Sequence, residues 1–211
     1  MTANAFINVL LAYLLGSFSG SLMLGALRKV DIRLSGSGNA GGTNAFRTQG
    51  FRFALGVVLI DVAKGVLAAA LIARVHLFGP AEVTGLATQA MLCGFAAIVG
   101  HCFPVWHGFR GGKGAATAVG VLCVVQPLAL APMLLTWLLV LTLTGWVGLA
   151  TILAGASLVP VFLWLGAEPV ALVFAIAVAL FLIFTHRSNL RKMRLGNEYR
   201  FERVMLRNWF R

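Results

Sequence analysis

The chain has 211 residues, 60% of them hydrophobic and 11% charged, with a formal net charge of +11 from 17 Lys and Arg against 6 Asp and Glu. A soluble domain carries about a quarter charged residues, so this composition excludes one and indicates a single all-α membrane domain over 1–211. The cations lie beside apolar segments, which makes lipid headgroups and membrane orientation their first explanation and argues against nucleic acid as a partner.

The first apolar stretch, 5–27, has no Lys or Arg before it. It is long enough to span, and reads as a retained helix rather than a signal peptide. A polar interval follows over 28–52. Within it Ser35-Gly36-Ser37-Gly38-Asn39-Ala40-Gly41-Gly42-Thr43-Asn44 leads to Arg47. Glycines allow tight turns and close approach to a ligand, while Ser37, Asn39, Thr43 and Asn44 offer small hydrogen-bonding groups. With no carboxylate in the stretch and Arg47 at its end, this is the chemistry of a phosphate cradle.

The next apolar run, 53–73, contains Asp61, Lys64 and Gly65. Ionisable groups inside a span are costly, and this spacing puts the two charges on one helix face. They read equally as a structural ion pair and as a direct functional element. A third run, 83–100, ends in His101-Cys102-Phe103-Pro104 and then Phe109-Arg110-Gly111-Gly112-Lys113-Gly114. Gly-Gly-Lys-Gly ahead of an apolar helix is a second anion-site pattern, though not a nucleotide P-loop, which requires Gly-Lys-Ser/Thr. A basic turn beside the membrane is the plainer alternative.

From Ala115 to Thr185 the only charge is Glu168. Pro127 with Pro132, Thr144-Gly145 and Gly166 to Pro169 divide this region into segments near 114–126, 128–143, 146–165 and 169–185. His186, Arg187, Ser188 and Asn189 open a basic tail over 187–211. In it Tyr199, Phe201, Trp209 and Phe210 lie among arginines as an interfacial segment would. Fifteen of the seventeen cations fall in 28–52, 101–113 and the tail. The positive-inside rule then puts all three on the cytoplasmic side. The result is a seven-transmembrane-helix bundle with its N-terminus outside and its C-terminus cytoplasmic. The two glycine-rich loops and the start of the tail emerge on one face.

Cys93 and Cys123 lie in apolar segments and are expected to be inert core thiols. No His, Cys and carboxylate cluster has metal-ligand spacing, so neither metal nor cofactor is expected. There is no Gly-x-Ser-x-Gly elbow and no His-x-x-x-x-Asp. A general base is hard to find, with His101 the protein candidate. A transporter of a phosphorylated solute would also explain the basic face and the Asp61/Lys64 pair. Against it, the chain shows no clear internal repeat.

Four pieces in order resemble the bacterial acyl-phosphate:glycerol-3-phosphate acyltransferases. Gly36 to Asn44 is similar to that family's Gly-Ser-Gly-Asn-x-Gly-Ala-Thr-Asn loop, with Gly42 for the usual alanine. Asp61-Val62-Ala63-Lys64-Gly65 is similar to its Asp-x-x-Lys-Gly, and His101 to Gly114 to its second loop, with Arg110 for the usual lysine. His186-Arg187-Ser188-Asn189 with Gly196 and Glu198 is similar to its C-terminal motif. The resemblance implies acyl transfer from a fatty acyl phosphate to glycerol-3-phosphate at the inner membrane, on the cytoplasmic side, as the first step of phospholipid biosynthesis. It implies that Ser37, Asn39, Gly41, Thr43, Asn44 and Lys113 bind acyl phosphate, and that Arg47, Lys113, His186 and Asn189 bind glycerol-3-phosphate. Lys113, His101 and Asn39 are then the catalytic candidates and Asp61 and Lys64 the supporting ones. Partners are the two substrates, membrane lipids and the enzyme that makes acyl phosphate.

Overall fold

The computed structural model describes residues 3–77 and 85–208, so Glu82, Trp209 and Phe210 lie outside the described residues. Among the described residues the regular elements are all helical: α1 (Ala3–Gly16), α2 (Gly20–Leu27), α3 (Gly42–Gln49), α4 (Phe51–Ala70), α5 (Leu86–Cys102), α6 (Ala115–Val125), α7 (Leu130–Thr144), α8 (Val147–Trp164), α9 (Pro169–Thr185) and α10 (Arg187–Arg194). The chain forms two compact units, Met1–Pro127 and Leu128–Arg211.

Each apolar segment expected from the sequence is helical. Among the described residues, four helical stretches are long and apolar enough to cross a membrane, and up to six if each bent pair counts as one span. The bent pairs are α1 with α2, at 44°, and α9 with α10, at 49°. Three features depart from the sequence reading. The stretch 5–27 is broken at Ser17-Phe18-Ser19, and the polar interval after it contains a helix, α3. A third departure is Cys123, which is exposed on α6, whereas Cys93 and Cys102 are buried.

The break in the first helix governs the first unit. At the end of α2 the Arg28 guanidinium lies 5.0 Å from the Phe53 ring centroid, near the start of α4. The break itself lies beside Lys64, whose Nζ donates to Gly16 O and Phe18 O, each at 2.8 Å. From Phe53 to Lys64 is eleven residues, or about 16 Å along α4. His101, at the end of α5, also reaches Lys64. So α5 ends far below the level of the end of α2 and the start of α4, and the segment joining it to α6 turns inside a recess. A β-carbon on Gly114 would lie 2.9 Å from Ile98, while the side chain of Val121 packs at Gly94, so α6 returns antiparallel to α5. That is why α6 has only 11 residues: it starts within the recess rather than at its rim.

The first glycine loop dips toward the same recess. After α3 the chain turns at Gly50 and α4 runs back along it, so that Gly42 sits against Val58. Ile32, Ala45, Phe53, Ala54 and Val57 form a buried apolar cluster, with Leu24 and Val30 against it. This cluster fastens the base of the loop to α2 and α4.

In the second unit α8 packs between α7 and α9, with Leu158, Phe162, Phe174, Val178 and Leu182 buried. The tail does not simply trail away. Phe201 N donates to Gly145 O at 2.9 Å, Arg200 Nε donates to Thr144 O at 3.1 Å, and Met205 is buried. The tail therefore closes over the turn between α7 and α8.

Candidate active site

The first loop is organised by one side chain. Asn44, in the first turn of α3, is buried. Its Oδ1 accepts from Ser37 N at 2.8 Å, and its Nδ2 donates to Ile32 O at 2.9 Å and Ser35 O at 3.1 Å. The amide thus substitutes for the backbone partners an irregular loop lacks. Gly36 and Gly38 turn with φ of 61° and 74°, in the left-handed region that glycine enters without penalty. Ser35 to Gly38 remain exposed, whereas Asn39, Thr43 and Arg47 are half-buried around them.

Beneath the loops lies a compact polar cluster. Asp61 and Lys64 pair at 3.0 Å, both buried. Asp61 Oδ1 accepts from Gly20 N at 3.1 Å, at the start of α2. Lys64 takes the carbonyls at the end of α1, so each charge also matches the dipole of the helix end it serves. His101 Nδ1 is 2.8 Å from Lys64 Nζ and 3.3 Å from Asp61 Oδ1. The pair therefore satisfies the groups that the broken helix frees and orients the imidazole.

The second loop is tied down from several directions. Gly111 N and Gly112 N donate to the Cys102 and His101 carbonyls at 3.2 and 3.1 Å. Tyr13 Oη donates to Phe103 O at 2.8 Å and Trp106 Nε1 to Leu14 O at 3.3 Å. Arg33 Nη1 reaches His107 O at 3.3 Å and Arg110 O at 3.2 Å, linking this loop to the segment before the first one. Arg33 is in turn held by Asp31, at 2.7 Å. That hydrogen-bonded pair lowers the Asp31 carboxyl below the usual carboxylate range and raises the Arg33 guanidinium. The two loops meet at Gly112. A β-carbon there would run into His101 Nε2 and come within 2.8 Å of Ala40 O. Lys113, half-buried, follows immediately.

In the second unit His186 caps the junction of α9 and α10. It is buried, and its Nδ1–H donates to Leu182 O at 2.8 Å. Asn189, one turn on, donates to Glu198 Oε1 at 2.7 Å and packs on Gly148 of α8.

A family model for glycerol-3-phosphate acyltransferase matches residues 6–196. The chain belongs to the glycerol-3-phosphate acyltransferase family. A glycerol-3-phosphate acyltransferase of Chlorobium luteolum is 36% identical over 229 residues, covering 95% of this chain and 97% of the relative. One of Bacillus velezensis is 38% identical, covering 88% of this chain and 91% of the relative. The crystal structure of an integral membrane glycerol 3-phosphate acyltransferase in its glycerol 3-phosphate form matches with a TM-score of 0.84 at 33% identity, covering 93% of this chain and 95% of that one. The lysophosphatidic acid form of that enzyme matches with a TM-score of 0.82. Like that structure, this acyltransferase family member is a multi-pass integral membrane protein.

Within the first unit, the structure brings together Ser37, Asn39, Gly41, Thr43 and Asn44 in one loop, and His101 with Asp61 and Lys64 beneath Gly112 and Lys113. His186 and Asn189 form a separate cluster in the second unit. Three contributors carried no assigned role in the sequence reading. Arg33 with Asp31 braces the second loop, Gly112 makes the seam between the loops, and Glu198 holds Asn189. Gly112 and Glu198 fell inside the quoted motifs. The signal for Arg33 was the Asp-x-Arg spacing, which puts a carboxylate within reach of its own guanidinium.

Proposed function

We propose that this protein transfers the acyl group of a fatty acyl phosphate to glycerol-3-phosphate, giving 1-acyl-glycerol-3-phosphate and inorganic phosphate. The observation that carries the reading is the seam at Gly112. Two glycine-rich, carboxylate-free loops meet there, with Lys113 as point charge, in a recess of an apolar bundle. Two phosphorylated substrates, one with a lipid tail, need anion sites of this kind. Ser37, Asn39, Gly41 and Thr43 hold the acyl phosphate together with Lys113, and Asn44 acts from behind by fixing Ser37 N. Arg47, Lys113, His186 and Asn189 hold glycerol-3-phosphate.

The glycerol hydroxyl oxygen attacks the acyl carbonyl, an ester C–O bond forms, and the bond from acyl carbon to phosphate oxygen breaks. The departing phosphate takes the hydroxyl proton, so no protein nucleophile is required. A mixed anhydride already carries a good leaving group, and holding the hydroxyl against the carbonyl supplies most of the acceleration. Lys113 and the loop N–H groups stabilise the developing charge.

The arrangement in the membrane follows from the basic segments. We place the N-terminus outside, the C-terminus and the active site on the cytoplasmic side of the inner membrane, and seven crossings in between. The short α6 serves as one crossing because its start is recessed. The enzyme that makes acyl phosphate is the metabolic partner this reaction needs.

The purified protein in detergent, given palmitoyl phosphate and glycerol-3-phosphate, is expected to release phosphate and lysophosphatidic acid in equal amounts. With acyl-CoA as donor it is expected to form neither. Asn39→Ala is expected to lower the rate at least tenfold. Product from acyl-CoA alone, or no product from folded protein, overturns the reading.

A further inference from the structure

We propose that Asp61 and Lys64 act as a positioning pair that fixes the tautomer of His101, so that His101 presents an N–H donor, not a base, to the seam between the two glycine loops. The inference rests on the reading of that seam as an anion site.

The argument is a count of protons and lone pairs. A lysine ammonium has three N–H donors and no acceptor. Two of these go to Gly16 O and Phe18 O, both at 2.8 Å. The third faces His101 Nδ1 at 2.8 Å and Asp61 Oδ1 at 3.0 Å. A nitrogen 2.8 Å from an ammonium must offer its lone pair, because a proton there would set N–H against N–H. His101 Nδ1 is therefore the acceptor. In the competing tautomer Nδ1–H would donate to Asp61 Oδ1, but that distance is 3.3 Å, the longer of the two. A doubly protonated ring fails on the same Lys64 contact. The single imidazole proton consequently sits on Nε2.

Position gives that proton its use. Nε2 faces the backbone of Gly112 where the second loop meets Ala40 of the first. An N–H at this point is a donor to an anionic oxygen held in the seam. Conversely, a ring already protonated on Nε2, with Nδ1 occupied by Lys64, has no lone pair free to take the glycerol hydroxyl proton. This removes the one protein candidate for a general base and leaves that proton to the departing phosphate.

Nitrogen NMR on histidine-labelled protein in detergent, without substrates, tests the assignment directly. The His101 signal is identified by its loss in His101→Gln. Wild type is expected to show a bare Nδ1 and a protonated Nε2. Lys64→Met, which leaves Asp61 as the only partner, is expected to move the proton to Nδ1. A protonated Nδ1 in wild type overturns the proposal, and this arm needs no variant beyond the one used for assignment. In turnover, His101→Gln still offers an amide N–H from a similar arm. It is expected to keep a kcat/KM at least tenfold above that of His101→Phe, and equal loss in the two overturns the donor role. If the substrate assay fails while the tautomer is as stated, the reading of the reaction has failed and the positioning pair stands.

Discussion

The two glycine-rich loops of the first unit look alike in sequence but are held in opposite ways. The first is self-supporting. Asn44 bonds Ser37, Ile32 and Ser35, all within a short stretch of chain, and at the rim of the loop Gly38 has room for a β-carbon. The second is supported from afar. Its backbone is fixed by His101, Tyr13 and Arg33, and its Trp106 side chain donates to Leu14 O; it carries the Gly-Gly-Lys that meets the first loop. A loop built on local bonds tolerates a bulkier residue at its rim. A loop wedged between remote elements does not, because each neighbour is itself fixed.

Alanine in place of glycine separates the two cases, and the largest effect is expected at the seam. Gly112→Ala drives a methyl group into His101 and within 2.8 Å of Ala40 O. Backbone on one side and a lysine-anchored ring on the other leave nothing soft to yield. A displacement of about 1 Å in a reacting array costs on the order of 100-fold in rate, so kcat/KM is expected to fall by at least that factor. At Gly38 the nearest heavy atom to an added β-carbon is Arg33 O, at 3.5 Å. Gly38→Ala meets only the cost of its positive φ, about 1–2 kcal/mol, and is expected to keep activity within about tenfold of wild type. Initial rates on the two purified variants decide it, and equal losses would break the contrast between the loops.

A smaller effect is expected from the self-supporting loop when its organiser is removed. Asn44→Ala deletes three hydrogen bonds and leaves the Ile32 carbonyl buried without that donor. Each such loss costs about 1–3 kcal/mol. The expected result is a raised KM for acyl phosphate and a lowered melting temperature, with kcat less affected because Lys113 and the second loop are untouched. A fall confined to kcat would place Asn44 in the reacting array itself.

This contrast also explains what was legible in the sequence. The first loop announced itself because its chemistry is local: glycines, hydroxyls and amides within a few residues. That the apolar stretches are helices was legible for the same reason. The recess was not, because it depends on three distant pieces at once: the break at Ser17-Phe18-Ser19, the Asp61/Lys64 pair and His101. Any of them read alone has a plain meaning: a helix, an ion pair, a candidate base. The run Ser17-Phe18-Ser19-Gly20 within an apolar helix was the available signal, since serine and glycine together are common at kinks. The short α6 then followed from the recess and not from its own composition. In the second unit, Glu198 lies in a turn beyond α10, and only the folded chain brings its carboxylate onto Asn189.

The smallest effect concerns the brace between the loops. Asp31 is part-exposed, as is Arg33, so their pair contributes under about 1 kcal/mol after solvent screening. Its sign with pH is nonetheless fixed. The Arg33 hydrogen bonds hold the folded Asp31 carboxyl below its ordinary value, so the unfolded chain binds the proton more readily. The contribution is complete above about pH 4, the unfolded range for aspartate, and fades as the pH falls through the lower folded value. Asp31→Asn is therefore expected to lower the melting temperature slightly at pH 6 and to converge on wild type as the solution is acidified below pH 4. Arg33 would still reach the His107 and Arg110 carbonyls in that variant, so turnover is expected to change by less than threefold. A large loss of activity at pH 7 would mean that Asp31 fixes the second loop as firmly as His101 does, and the brace would then belong with the recess.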